Sequence, residues 1–69
     1  MKTKEQIDYR CMPYGHIATI PAGVSVIPAT NHPQGGFWVF PWKGMDEKAK
    51  SWERNYGFHV TDEQVQFDS

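Results

Sequence analysis

The sequence is poor in cysteine, which limits both how the fold is stabilised and where the protein is expected to reside. Cys11 is the only cysteine among 69 residues, so no internal disulfide can form. Small secreted domains usually depend on disulfides, and an oxidising compartment therefore has no support here. Residues 1–5 are charged, and no apolar signal segment follows them. These features predict a cytoplasmic protein.

The sequence also lacks an excess of charge of either sign. Seven Lys and Arg residues against eight Asp and Glu residues leave a formal net charge of −1. Proteins that bind nucleic acid or an anionic membrane surface usually concentrate basic residues on one face. The long uncharged stretch of residues 12–42 contains all five prolines, so it is unsuited to a membrane-spanning helix. We expect neither nucleic acid nor a membrane as the partner.

The short length predicts a single small domain covering residues 1–69, with a loosely ordered N-terminus at residues 1–6 and a tail at residues 68–69. A chain of this size buries only about 60% of the surface that its unfolded form exposes. It has little room for a large enclosed active site, and we therefore expect it not to be an enzyme.

Short strands are indicated at several places along the chain. Residues 7–12 alternate between apolar and polar side chains, and residues 16–20 are rich in β-branched side chains. The turn-forming residues 21–23 then predict a hairpin that pairs residues 16–20 with residues 24–29. Residues 37–42 are apolar on both faces, which favours a central strand. A further short strand is expected at residues 58–60.

The strongest helical pattern covers residues 46–56. Asp46 is suited to cap the N-terminus of this helix, and Gly57 is suited to the left-handed residue that closes it. Residues 61–64 match a capping box and predict either a single helical turn or a hairpin that pairs residues 65–67 with residues 58–60. The apolar side chains of the helix fall on one stripe: Met45, Ala49, Trp52 and Tyr56.

The elements together predict a fold class that is mainly β with one α-helix (α+β). The arrangement is either a small bent antiparallel sheet or an SH3-like, partly open barrel of four to five short strands. We expect the helix to cover one side of the third strand, with Trp52 and Tyr56 against one of that strand's two aromatic rows.

Aromatic residues make up 14% of the chain and are the main candidates for a functional surface. In a small fold without disulfides they are needed for the core. Trp and Tyr also dominate the energetics of protein interfaces. We select Tyr14, Trp38 and Trp42 as a candidate contact patch, and His32 as a candidate in the turn-rich loop at residues 30–36.

The residue types of a metal or thiol site are present but poorly spaced. Structural zinc ligands usually come in close pairs, and Cys11, His16, His32 and His59 do not. Catalysis by Cys11 with a histidine would need the two side chains to be adjacent, which nothing in the sequence indicates. We predict no metal site, no cofactor and no catalytic residue.

The leading interpretation is therefore a non-enzymatic module that binds a protein partner or associates with itself. Two alternatives remain open. One is a binder of single-stranded nucleic acid that stacks bases on Trp38, Phe40 and Trp42. The other is a metal-stabilised or minor catalytic protein.

Overall fold

A computed structural model describes residues 1–12 and 14–67. Its elements, in chain order, are the strands and helices β1 (Lys2–Thr3), β2 (Ile7–Cys11), β3 (His16–Ile20), β4 (Val26–Pro28), β5 (Phe37–Val39), α1 (Glu47–Asn55), β6 (His59–Val60), a 3₁₀ helix (Asp62–Gln64) and β7 (Val65–Gln66). The predicted fold class, mainly β with one α-helix, is confirmed. Among the described residues, no helix is long and apolar enough to cross a membrane.

The strands form small antiparallel sheets. β2 pairs with β3, β4 and β6 flank β5, and β1 pairs with β7. In the described part of the chain there are seven strands in three small sheets, rather than the four to five strands of one bent sheet or partly open barrel that were predicted, and the sheets do not close into a barrel. As expected, β5 is central in its sheet. It ends at Val39 rather than at Trp42, and Pro41, which has no N–H to donate, lies in the segment that leaves the sheet.

The predicted hairpin between residues 16–20 and 24–29 is wrong. β3 instead pairs back onto β2, with a register that runs from Ile7 opposite Ile20 to Cys11 opposite His16. Gly15 has a positive φ of 83° in the connecting turn, and its N–H donates to the Cys11 carbonyl. The turn-forming residues 21–23 indicate a change of chain direction, but such local signals do not decide whether the strands on either side pair with each other.

The N-terminal segment, residues 1–6, is not loosely ordered as predicted, because it contains a paired strand. Lys2 and Thr3 pair with Gln66 and Val65, and Thr3 is only 1% exposed. This pairing also decides between the two predictions for residues 61–67. A 3₁₀ helix forms, and the strand after it joins β1 rather than residues 58–60. The predicted tail, residues 68–69, lies outside the described residues.

The core lies between the inner faces of these sheets and α1. β2 and β3 contribute alternate residues, and β5 contributes Phe37 and Val39 while Trp38 points to the opposite face. The buried apolar cluster consists of Ile7, Cys11, Ala18, Ile20, Val26, Phe37, Val39, Ala49, Phe58, Val60 and Val65.

α1 forms for the local reasons that its sequence indicates. The Asp46 carboxylate accepts a hydrogen bond from the Ala49 N–H at 2.7 Å, and Gly57 has a positive φ of 79° just beyond the helix. The helix lies on the β2–β3 hairpin, where Trp52 contacts Tyr9 and His16. Trp52 thus contacts aromatic rings of the hairpin, whereas Tyr56, which was expected beside it, lies next to Trp38 and Phe40.

Candidate interaction surface

The three aromatic residues selected from the sequence do not form one patch. Tyr14 is 65% exposed and lies against α1. Trp38 is half-buried on the outer face of β5. Trp42 packs on the core residue Phe58, with ring centroids 5.3 Å apart, so it leaves the candidate surface. Tyr14 and Trp38 are instead connected through residues that the sequence had assigned to the helix stripe.

A first groove, the hairpin groove, lies between the β2–β3 turn and α1 and has a volume of about 510 Å³. Its aromatic wall is built around Trp52. The Tyr14 ring stands edge-on to Trp52 at 6.1 Å, and the Tyr56 ring lies 4.4 Å from it. The hydroxyl groups of Tyr14 and Tyr56 are 3.3 Å apart, which closes the ring cluster. The Trp52 indole N–H donates to the Gly57 carbonyl at 2.9 Å, and this bond fixes the central ring.

The polar lining of the hairpin groove comes from α1, beside Trp52 and Tyr56. It is formed by Glu47, Lys48, Ser51 and Asn55, which recur along one side of α1. The Asn55 side-chain amide donates to the Ser51 carbonyl at 2.9 Å, so part of this lining is already hydrogen-bonded. The groove therefore has an apolar wall and a polar rim that carries one charge of each sign.

His16 contributes a flat ring to the hairpin groove rather than a hydrogen bond. Its imidazole stands edge-on to Trp52 at 6.3 Å. Its Nε2 atom is buried and has no hydrogen-bond partner among the described residues. A buried unpaired polar atom costs about 1–3 kcal/mol, so the packing around this ring must offset that cost.

A second groove, the sheet groove, lies between the outer face of β4 and β5 and the end of α1, with a volume of about 390 Å³. Ile27 and Trp38 are cross-strand partners on this face. Gly57 allows the close approach of the chain to Trp38, because a Cβ at this position would lie 3.2 Å from the indole ring. Phe40 and Tyr56 complete the apolar lining.

The two grooves are adjacent at the C-terminal end of α1, because Asn55 and Tyr56 line both of them. We call their joint apolar surface the aromatic face, formed by Tyr14, Ile27, Trp38, Phe40, Trp52 and Tyr56. Four of these residues are well exposed: Tyr14 by 65%, Tyr56 by 56%, and Phe40 and Ile27 by 44% each. Tyr56 lies where the grooves meet.

His32, the loop candidate, lies beside this face rather than in open solvent. Its ring stacks on His59 with centroids 3.8 Å apart and meets Trp38 edge-on at 5.7 Å. Its Nδ1 accepts a hydrogen bond from the Gln34 N–H, and the His59 Nε2 is hydrogen-bonded to the Gly35 carbonyl. The histidine pair therefore holds the 30–36 loop against the sheet. Sequence reasoning missed His59, since no local signal connects two residues so far apart in the chain.

The structure brings Cys11 and His16 together as cross-strand neighbours, but it does not give the thiol the surroundings of a nucleophile. Cys11 is fully buried. Burial is the main cause that raises the pKa of its thiol, and the negative charge of Asp46 adds to the effect. Reactive cysteines have a lowered pKa and are accessible.

Two titratable groups of the aromatic face, the phenols of Tyr14 and Tyr56, are hydrogen-bonded to each other. The hydrogen bond with Tyr14, followed by the charge of that phenol, raises the pKa of Tyr56, so its hydroxyl stays protonated at neutral pH. In the part of the chain that the structure describes, no three His, Cys, Asp or Glu side chains come together as a metal site.

Comparison of the chain with protein-family models, with curated proteins and with solved structures finds no match.

Proposed function

We propose that the protein is a non-enzymatic binding module that docks a protein partner through the aromatic face. The observation that carries this proposal is that two neighbouring grooves with exposed aromatic side chains share Tyr56 in their linings. At 150–250 Å² per aromatic side chain, the exposed fractions of Tyr14, Tyr56 and Phe40 present about 250–400 Å² of mostly apolar surface, to which the exposed part of Ile27 adds. The largest apolar patch on a typical monomer is about 300–600 Å² and is often functional.

The chemistry of the face supports a protein partner. Tyr and Trp are enriched at the centres of protein interfaces, and a polar rim usually surrounds them. Here the rings occupy the centre and the α1 side chains form the rim. A cytoplasmic location is part of the proposal and agrees with the free, buried thiol of Cys11.

Single-stranded nucleic acid, the alternative from the sequence, has less support. The cations beside the aromatic face are Lys48 and Arg54, and each follows a glutamate in the chain, Glu47 and Glu53. Such neighbours cancel much of the positive field that would attract phosphates. Of the three residues expected to stack on bases, Trp38, Phe40 and Trp42, the last packs on the core instead.

Site-specific photo-crosslinking tests the proposal. The photoreactive amino acid p-benzoylphenylalanine replaces Tyr14 in one variant and Phe40 in another, and the cells that make the protein are irradiated. A matched control carries the same group at Ile17, which is exposed on the outer face of β3 and lines neither groove. We expect protein adducts from positions 14 and 40 but not from position 17. Equal adducts from all three positions, or none from 14 and 40, would refute the proposal.

A further inference from the structure

Tyr14 and Tyr56 touch through their phenol groups, although 42 positions separate them in the sequence. Their hydroxyl oxygens lie 3.3 Å apart and share a hydrogen bond. Tyr14 lies in the turn that connects β2 to β3, and Tyr56 is the capping residue at the C-terminal end of α1. This contact therefore connects the tip of the hairpin to the end of the helix. The proposed function uses the two rings as a contact surface but gives no role to their direct contact.

A pair of touching phenols is the arrangement that oxidative coupling needs. A one-electron oxidant removes one electron and one proton from a tyrosine phenol and leaves a phenoxyl radical. Its unpaired electron is shared between the oxygen and the ring carbons next to the C–O bond. Two such radicals couple by forming a bond between these carbons, and the hydrogen atoms that the carbons carried move to the oxygens, which restores both phenols. The coupling carbon is only two bonds from its oxygen, so the hydroxyl contact holds the reacting carbons close together.

The surroundings of the pair favour this reaction. Tyr14 and Tyr56 are both more than half exposed, so an oxidant can reach them and their rings have room to turn. Trp52 lies against both, with centroid distances of 6.1 Å to Tyr14 and 4.4 Å to Tyr56, and it keeps the two rings together. Tyr9, the third tyrosine of the chain, is half-buried and packs edge-on to the core residue Phe58. The pair is therefore the tyrosine site that the fold prepares for coupling.

The single thiol of the chain is poorly placed to compete for the oxidant. Peroxides attack cysteine according to its exposure and its thiolate character. Cys11 is fully buried, and burial raises the pKa of its thiol. One cysteine allows no internal disulfide, so a bond between Tyr14 and Tyr56 would supply a covalent crosslink that the chain otherwise lacks. A crosslink that closes so long a loop stabilises a fold mainly by restricting the unfolded chain.

We propose that Tyr14 and Tyr56 form an oxidative crosslinking site, at which a one-electron oxidant driven by peroxide joins the two rings as dityrosine. The pair gives up two electrons and two protons in all, and one molecule of hydrogen peroxide accepts them and becomes two molecules of water. One carbon–carbon bond forms in place of two carbon–hydrogen bonds. The product links the β2–β3 turn covalently to the end of α1. This inference goes beyond the proposed function and does not depend on it.

Treatment of the purified full chain with a haem peroxidase and hydrogen peroxide tests the proposal. The protein is kept dilute, and the monomer is isolated by size-exclusion chromatography before digestion. Trypsin cuts after Lys and Arg and places the three tyrosines in separate peptides, residues 5–10, 11–43 and 55–69. We expect dityrosine fluorescence in the monomer, and a joined peptide of residues 11–43 and 55–69 whose mass is two hydrogen atoms below the sum of the two. The crosslinked monomer should also melt at least about 5 °C higher than the untreated protein.

Three variants that keep the aromatic ring serve as controls, and circular dichroism spectra check the fold of each. Tyr14→Phe and Tyr56→Phe should each remove the monomeric crosslink, whereas Tyr9→Phe should leave it unchanged. A wild-type monomer without the joined peptide, or one in which residues 5–10 are joined as often as residues 11–43, overturns the proposal. A crosslinked monomer that melts no higher than the untreated protein overturns the stabilising role of the bond. The photo-crosslinking result does not enter this test, so either proposal can fail while the other stands.

Discussion

Thr3 and Val24 are joined by two hydrogen bonds that run in opposite directions. The Thr3 N–H donates to the Val24 carbonyl at 2.8 Å, and the Val24 N–H donates to Thr3 Oγ1 at 2.9 Å. The Thr3 hydroxyl in turn donates to the Pro21 carbonyl at 2.7 Å. One buried side chain therefore satisfies a donor and an acceptor of the turn that follows β3.

Thr3→Val should destabilise the fold by about 1–3 kcal/mol, because the volume is kept while the Val24 N–H and the Pro21 carbonyl lose their partner. Urea unfolding followed by tryptophan fluorescence measures the effect. Thr19→Val is the control, since Thr19 is exposed on β3 and a surface change of this kind is usually within about 0.5 kcal/mol. Equal unfolding midpoints for the two variants would contradict the role of Thr3.

Gly36→Ala should destabilise the loop that carries His32. A Cβ at Gly36 would lie 2.6 Å from both the His59 ring and the Val60 carbonyl, and the residue has a positive φ of 76°. Gly35→Ala is a matched control, because its φ is 70° and its Cβ would meet nothing within 4 Å. The control should lose about 1–2 kcal/mol from backbone strain alone.

We expect Gly36→Ala to cost about 1–3 kcal/mol more than this control, as overpacking does. Chemical denaturation of both variants gives the comparison, and NMR of the His32 and His59 ring protons locates the change. Similar losses in the two variants would show that the clash is relieved at no cost.

Trp42→Ala should weaken the fold rather than binding. Trp42 is half-buried against Phe58, so we expect a loss of about 2–3 kcal/mol, below the roughly 3–5 kcal/mol typical of a fully buried tryptophan. Tyr14→Ala provides the comparison, because this well-exposed ring should cost less than about 1 kcal/mol. Thermal melts of the two variants measure both losses of stability. If Tyr14→Ala lowers the melting temperature more than Trp42→Ala does, the assignment of Trp42 to the core is wrong.

Cys11 should make stability depend on alkaline pH. Because burial raises the pKa of the folded thiol, its contribution is fully present below the unfolded pKa of about 8.5. Above that pH the unfolded chain loses the proton while the folded chain keeps it, so the free energy of unfolding falls. The wild type should therefore lose more stability between about pH 8 and pH 10 than Cys11→Ala does. If the free energies of unfolding of the wild type and of Cys11→Ala fall equally over this pH range, the Cys11 thiol does not cause the loss.

Local structure was predictable from the sequence wherever neighbouring residues determine it. The Asp46 cap and the positive φ of Gly57 follow from side-chain chemistry within one helical turn. The same holds for residues 61–64, where the Gln64 side chain accepts a hydrogen bond from the Thr61 N–H. These contacts span only a few positions, and a pattern of residue types is enough to indicate them.

Strand pairing and the candidate surface depend on residues far apart in the chain, and here the sequence was less informative. Tyr14 and Trp38 were selected for their residue type, and both belong to the aromatic face. Tyr56, which connects them, resembled an ordinary member of the helix stripe. Its position became evident only once the hairpin and the sheet were placed on either side of it.

The pairing of β1 with β7 also determines when the molecule can become complete. Lys2 finds its partner in Gln66, and Thr3 finds its partner in Val65, so these contacts span nearly the whole described chain. Contacts of such high contact order form late, because the loop between them must close first. Lys2 also bridges to Ser25, and the Thr3 N–H donates to the Val24 carbonyl, so these contacts of shorter loop length can hold β1 in place before β7 is added.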